Sequence, residues 1–374
     1  MNSQSDNYWL NLIHEIGPSL QKESKKLDEE YSFVYGSYEL LKQHKFFSAL
    51  IPEELGGGGL AYEDLCQVLR ALAAYCPSTS LASSMHHHLV ASSVWKYKKG
   101  LEDGGFLRKI AEHEFILVST GAKDFLESSG DLVKTEGGYL MTAKKHFASQ
   151  SLVGDYLITS ARYADPKEGS RVLHFPLPVK HDGVTVMNDW RTLGMRSTGS
   201  HTVAINNAFI PETTISLNRP AEGWPVALNV GLTNAMPIIM SVYIGIAEKA
   251  ANIVLESLKR RQEAKTFDII EMGLLYNELN AARIQVKEMI QLVAEFTFEA
   301  TYDLAQTILS LKTNVAEACV GVVTRAMAIA GGPGYYEAYG LEKLFRDVQG
   351  ANYHPLQKKE QVLFFGTHIL NQKD

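Results

Sequence analysis

The period of the hydrophobic pattern changes twice along the chain, and this limits the fold more than any single motif. From Met1 to about Glu114 the pattern is helical. Leu65, Val68, Leu69 and Leu72 follow i, i+3, i+4, i+7 and mark one apolar helix face. From Phe115 short β-type runs take over, at 116–120, 139–142, 156–159, 172–175, 184–187 and 202–206. Turn residues separate them, among them Gly137-Gly138, Asp165-Pro166, Asp182-Gly183 and Asn206-Asn207, and no helical pattern is inserted between them. Strands at this spacing predict a small antiparallel barrel or sandwich. From about Ala221 the helical pattern returns. Three long amphipathic segments, 233–261, 269–302 and 312–330, with short connections predict an antiparallel four-helix-type bundle. The expected fold is thus α+β and multidomain: an N-terminal all-α domain over 1–114, a middle β-domain over 115–216 and a C-terminal helical bundle over 217–374.

Charge and cysteine usage narrow the function. Lys plus Arg number 36 against 42 Asp plus Glu, a net charge of −6, which argues against nucleic acid as a partner. Cys66, Cys76 and Cys319 form no CxxC pair, which fits a reducing cytoplasm and offers no metal framework. The opening residues, Met1 to Asp6, lack the basic segment of a secretory signal. The uncharged run 226–247 is long enough to span a membrane. Asn229, Thr233, Asn234 and Pro237 within it point instead to a buried core helix.

Three local features stand out. Gly56 to Gly59 follow Ile51-Pro52-Glu53-Glu54-Leu55 and must form a loop, yet the Gly-Lys-Ser/Thr ending of a phosphate loop is absent. His86, His87 and His88 are adjacent on a helix and point in three directions, so they cannot share one metal. At most one or two face a pocket, and solvated or capping histidines are the expectation. Last, Gly331, Gly332 and Gly334 interrupt a helix, the charged segment Leu344-Phe345-Arg346-Asp347 follows, and the chain breaks at His354-Pro355. Its plainest reading is a helix cap and a turn between bundle helices. A polar, His-bearing turn after a rigid helix is also a place for chemistry.

Taken in order, these stretches resemble the acyl-CoA dehydrogenase superfamily over nearly the whole chain. The resemblance rests on Ile51 to Gly57, on Lys145-His146-Phe147-Ala148-Ser149-Gln150, on Leu193 to Val203 with Ala208 to Pro211, and on Gly331 to Tyr335 with Leu344 to Asp347. It implies a flavin between the β-domain and the bundle, FAD with FMN possible, and a homotetramer built on the C-terminal bundles. The cofactor would carry the redox chemistry while the protein supplies placement and electrostatics. The resemblance assigns Thr120 to the isoalloxazine and Ser149 to its N5. Phe147 replaces a tryptophan that packs on the flavin. Arg261 matches a contact to the cofactor pyrophosphate across a subunit interface, and Gly331 and Gly332 let backbone approach the adenosine diphosphate part. Plain strand packing remains the alternative for Phe147 and Ser149. The sequence departs from the pattern at Gly121-Ala122, at Gln262-Glu263-Ala264 and at Ala328, so the dinucleotide-tail contacts are thinner than the isoalloxazine wall.

The catalytic base is the largest departure. Dehydrogenases of this superfamily remove an α-proton from an acyl thioester with a carboxylate. The two positions that carry it correspond to Pro355 and Ala235, and neither residue can take a proton. His354 stands one residue earlier. A subgroup with this fold has a histidine there and a serine at the position of Ser149; those enzymes are monooxygenases that take reduced flavin from a separate reductase and hydroxylate a bound, often aromatic substrate. A neutral imidazole can accept a proton or hold an oxygen near neutral pH; a solvated turn residue is the alternative for His354. Two chemistries follow as expectations. One is α,β-dehydrogenation of an acyl-CoA thioester, as in fatty acid metabolism, with an electron-transfer flavoprotein as partner. The other is reductase-dependent monooxygenation through His354 and Ser149. A degenerate member that binds without turnover is a third.

Overall fold

The computed structural model describes residues 3–261 and 265–371, so Gln262, Glu263 and Ala264 lie outside the described residues. The N-terminal part contains α1 (Ser3–Glu30), α2 (Tyr35–Gln43), α3 (Tyr62–Ala73), α4 (Pro77–Lys98) and α5 (Gly105–His113). α4 opens with Pro77 in its first turn, where the missing N–H has no helical partner to lose. It is largely buried, and its serines satisfy their hydroxyls there: Ser80 Oγ donates to the Leu69 carbonyl of α3 at 2.6 Å and Ser84 Oγ back to that of Leu81 in α4 at 2.7 Å.

The central strands are β1 (Leu117–Ser119), β2 (Asp131–Thr135), β3 (Gly138–Ala148), β4 (Tyr156–Asp165), β5 (Gly169–Pro178), β6 (Val184–Val186), β7 (His201–Pro211) and β8 (Leu217–Pro220). Their order is β6-β7-β3-β2-β4-β5-β8, with β1 also beside β4. The expected antiparallel barrel or sandwich is instead a mixed, open sheet. β1 pairs in parallel with β4 through Leu117 and Tyr156, and β2 pairs in parallel with the same strand through Asp131 and Arg162. The reason is a helix that the alternating pattern did not predict. α6 (Ala122–Glu127) loops out between β1 and β2, so the two behave as one interrupted strand along one edge of β4. β2 and β8 lie outside the expected runs, and β8 closes against β5 through Arg171 and Pro220.

The C-terminal part holds α7 (Val226–Lys259), α8 (Thr266–Val293), α9 (Tyr302–Ala330), α10 (Leu341–Val348) and α11 (Lys358–Asn371). The expected segment 269–302 ends earlier, and the one expected at 312 begins ten residues sooner with the cap at Thr301, whose side chain accepts the Leu304 N–H. α7 is the helix whose composition would allow a membrane span; its most apolar stretch is almost wholly buried, and it packs against α3, α4, α8, α9 and α10, which makes it a core helix. At Gly245 an added Cβ would lie 2.2 Å from the Arg70 carbonyl oxygen, so only glycine lets α7 sit this close to α3.

The Leu344-Phe345-Arg346-Asp347 segment is a clasp. Asp347, fully buried on α10, accepts the Met195 N–H at 2.6 Å and pairs with Lys343. Arg346 donates to Asp28 of α1 at 2.8 Å and to Glu342 at 2.8 Å. Gly194 lies directly on the Arg346 backbone, where a Cβ would meet the carbonyl oxygen at 2.2 Å. The loop between β6 and β7 is thereby locked to α1 and α10, and this loop forms one wall of the site.

Candidate active site

A cavity of about 1720 Å³ opens between the sheet, α4, α7 and the turn after α10. Pockets for one drug-sized ligand span roughly 300–1,000 Å³, so this one has room for two molecules side by side.

The sheet side of the cavity is built by a β-bulge. β3 alternates inward and outward residues until Lys145, where its register with β7 slips before Ala148. Phe147 takes φ +57°, and it and its neighbour His146 both turn outward. A bulge re-aims side chains in this way. The Phe147 ring, 66% exposed, stands edge-on to Trp190 at 5.9 Å, so the plain strand packing considered for it does not occur. Two residues on, Ser149 faces the same cavity with its hydroxyl 2.8 Å from that of Ser200.

Thr120 also lines the cavity, but its hydroxyl is engaged. It donates to Asp124 Oδ2 at 2.8 Å. Asp124, on α6, also takes both bonds of the fully buried Lys145 ammonium at 2.8 Å. Lys145 finds two further acceptors, the carbonyls of Ser129 at 2.6 Å and Ser160 at 2.7 Å. Burial holds its pKa below the ordinary lysine value against the pull of Asp124. This ion pair fixes α6 against the sheet and sets the position of Thr120.

On the helical side, His354 closes the turn after α10. Its Nε2 lies 2.7 Å from the hydroxyl of Tyr243, which is fully buried on α7. Tyr243 has no other hydrogen-bond partner among the described residues, and a buried hydroxyl without an acceptor costs about 1–3 kcal/mol. The Tyr243 hydroxyl therefore donates and His354 Nε2 accepts. That places the single imidazole proton on Nδ1, which has no partner among the described residues in a side chain that lines the cavity. Burial, followed by the charges of Lys312 and His88, pushes the His354 pKa down to about 3. The imidazole is neutral at physiological pH, and it offers the cavity an N–H rather than a lone pair. His354 is not a solvated turn residue. Lys312 of α9, itself buried, donates to the His354 carbonyl at 2.6 Å and to the Leu356 carbonyl at 2.9 Å, which holds the turn in place.

The three histidines of α4 separate. His86 Nδ1 accepts the Leu117 N–H at 3.0 Å, so its Nε2 donates to the Phe47 carbonyl at 2.6 Å and ties α4 to β1. His87 is fully buried against Phe46. Neither is solvated, contrary to expectation, because α4 runs through the core. His88 lines the cavity, and burial pushes its pKa down to about 4.

The model for the N-terminal domain of acyl-CoA dehydrogenases matches residues 17–113, and that for their C-terminal domain matches residues 238–358, together more than half of the chain. The chain belongs to the acyl-CoA dehydrogenase family. It is similar to an amino sugar nitrososynthase of Streptomyces peucetius, 24% identical over 92% of this chain and 89% of that protein. It is likewise similar to a dibenzothiophene monooxygenase of Mycolicibacterium goodii, 24% identical over 90% of this chain and 87% of that protein. The structure of KijD3 in complex with FMN and dTDP-3-amino-2,3,6-trideoxy-4-keto-3-methyl-D-glucose shares the fold. Its TM-score is 0.89 at 21% identity, covering 100% of this chain and 96% of that one.

Of the residues that the resemblance singled out, the cavity gathers Thr120, Phe147, Ser149 and His354. Arg261, Gly331 and Gly332 are not among its lining residues. Arg261 lies just past the end of α7 and pairs with Asp268 at 2.9 Å, while the two glycines follow α9 with open space where a Cβ would stand. Ala235 and Pro355, the two positions to which the resemblance assigns a base, do line the cavity. The residues that sequence reasoning missed are Tyr243, Lys312, Asp124, Thr198 and Ser200. Lys312 left a trace: it falls on the apolar stripe Ala305, Ile308, Leu309, Lys312, Ala316, where a lysine must find partners. Tyr243 left a weaker one, as an aromatic hydroxyl within the uncharged run 226–247.

Proposed function

We propose that the protein is a flavin-dependent monooxygenase of this family that accepts reduced flavin from a separate reductase and oxygenates a small molecule. The observation that carries this reading is the polarity of His354. An acyl-CoA dehydrogenase needs a base within hydrogen-bond reach of the substrate α-carbon. Here the two base positions hold Ala235 and Pro355, and the adjacent His354, whose protonated form has a pKa of about 3, is a neutral imidazole that presents Nδ1–H. Such a group is a poor proton acceptor and a good donor to an oxygen atom. Thr120, Phe147 and Ser149 would wall the flavin ring, and the cavity's size suits a flavin with a second ligand beside it. The flavin supplies the electrons and the activation of oxygen. His354 holds an oxygen atom by donation, Tyr243 keeps its tautomer, and Lys312 keeps its turn. Leu81, Met85, Leu232, Met236 and Ile239 make the wall between α4 and α7 apolar, which favours an apolar or neutral substrate portion there.

One observation favours the dehydrogenase reading: Glu360, at the start of α11, brings a carboxylate to the cavity rim. Two measurements separate the readings. Photoreduced FMN or FAD, mixed with the protein and labelled oxygen gas over a panel of aromatic heterocycles and amino sugars, should put label into product. Anaerobic titration with acyl-CoA thioesters should bleach bound flavin slowly or not at all. Fast bleaching that disappears in Glu360→Gln would establish the dehydrogenase instead.

The same proposal extends to assembly and setting. Phe267, Ile269, Ile270 and Ile284 leave α8 with exposed apolar side chains, and Tyr335 and Tyr336 beyond α9 are exposed as well. With Arg261, Gly331 and Gly332 away from the cavity, a homotetramer in which these residues meet a neighbour's cofactor tail accounts for both facts. Sedimentation should give a tetramer; a flavin-bound monomer at micromolar concentration contradicts it. The three domains, 1–114, 115–216 and 217–374, belong to this reading, as does a cytoplasmic setting in which Cys66, Cys76 and Cys319 stay free and buried.

A further inference from the structure

Ser149 is the first of three hydroxyls in series. Its Oγ lies 2.8 Å from Ser200 Oγ, which lies 2.7 Å from Thr198 Oγ1, which lies 2.9 Å from the Met195 carbonyl oxygen. All three side chains are buried. A carbonyl only accepts, so one end of the row has a fixed polarity. When Thr198 donates to Met195, Ser200 must donate to Thr198 and Ser149 to Ser200. Each hydroxyl then uses its proton inside the protein, and Ser149 turns lone pairs toward the cavity. In the opposite direction Thr198 donates to Ser200, Ser200 to Ser149, and the Ser149 proton has to find an acceptor in the cavity. That direction forfeits the bond to the carbonyl.

From this row we infer that Thr198 and Ser200 are specificity-determining positioning residues that bias Ser149 toward accepting a hydrogen bond, so that the site prefers reduced flavin over oxidised flavin. The inference rests on the flavin reading above, with Ser149 at flavin N5. Reduced flavin carries a hydrogen on N5 and donates there; oxidised flavin has only a lone pair and must be given a proton. The row supplies the acceptor with its protons already placed; to become a donor it must reverse the two hydroxyl–hydroxyl bonds and give up the bond to the Met195 carbonyl. The bias is worth one neutral hydrogen bond, a factor of about 2–13 in relative affinity.

Thr198→Val is the informative substitution, because it removes the hydroxyl and keeps the branched shape. The Met195 carbonyl still accepts from the Thr198 backbone N–H at 3.2 Å and from Trp190 Nε1 at 3.1 Å, so no acceptor is orphaned. Without Thr198 Oγ1 the pair Ser149–Ser200 has no preferred direction. Dissociation constants for oxidised and photoreduced FMN and FAD are measured anaerobically by fluorescence on wild type, Thr198→Val, Thr198→Ser and Ser200→Ala, with circular dichroism to check folding. Wild type and Thr198→Ser should favour the reduced form. The ratio of the two constants should fall by about 2–13-fold in Thr198→Val and in Ser200→Ala. A ratio unchanged in folded Thr198→Val and Ser200→Ala overturns the inference and leaves the flavin reading standing. If wild type binds neither redox form, the flavin reading itself is wrong and the inference falls with it.

Discussion

Replacing Lys312 with methionine tests the electrostatic account of the His354 turn. The ammonium is buried with two carbonyl partners, and burial lowers its pKa from 10.5 to about 8. A depressed lysine pKa means that the unfolded chain binds more protons than the folded one between pH 8 and 10.5. Stability therefore rises with pH across that window, and below it the buried charge is a constant penalty. At 1.36 kcal/mol per unit, the shift corresponds to about 3 kcal/mol. Lys312→Met removes that penalty but leaves the carbonyls of His354 and Leu356 without their donor, at about 1–3 kcal/mol each. The two effects largely cancel near pH 7, where the variant should be no more than about 3 kcal/mol less stable than wild type. At pH 10.5 the wild-type penalty has gone and only the lost bonds remain.

The stability gap between wild type and Lys312→Met should therefore widen by about 3 kcal/mol from pH 7 to pH 10.5. Urea unfolding followed by circular dichroism across that range measures it, and taking the difference cancels every other titrating group. A gap that stays flat with pH would show that Lys312 is not the buried cation described. A gap that narrows would give the shift the opposite sign. Oxygenation should also fall in the variant at pH 7, because the carbonyl that anchors His354 loses its donor.

Three further outcomes are expected. Tyr243→Phe leaves His354 Nε2 without its donor, frees the tautomer and should lower product formed per oxygen consumed several-fold, with a stability loss of about 1 kcal/mol; an unchanged ratio would remove Tyr243 from the site's function. Gly194→Ala drives a Cβ to 2.2 Å from the Arg346 carbonyl oxygen, so the loop must leave α10. Thermal unfolding should show a loss of about 1–3 kcal/mol, and a wild-type melting temperature would contradict the clasp. Asp124→Ala strips the buried Lys145 of its carboxylate and should destabilise the fold by about 3–5 kcal/mol, read by urea unfolding; a loss below about 1 kcal/mol would mean that the Ser129 and Ser160 carbonyls suffice.

Periodicity is a local property, and what depends on it was legible along the chain. The α, β, α order, the burial of α7 and the strands that became β3, β4, β5 and β7 all follow from residues a few positions apart. The motif around Ser149 and the His354 turn are likewise contiguous runs, and both line the cavity. Partnership between distant segments was not legible. The interrupted strand β1–α6–β2 depends on β4, which comes later in the chain, and alternation within 116–135 does not reveal which edge will receive it. The same holds for chemistry. His354 is visible as a residue, but whether it donates or accepts is decided by Tyr243, 111 positions away. The polarity of Ser149 is decided by Ser200, 51 positions away, and ultimately by the Met195 carbonyl. A hydrogen bond's direction is set by whichever atoms meet across the fold, so residue type was written in the chain and proton placement was decided by tertiary packing.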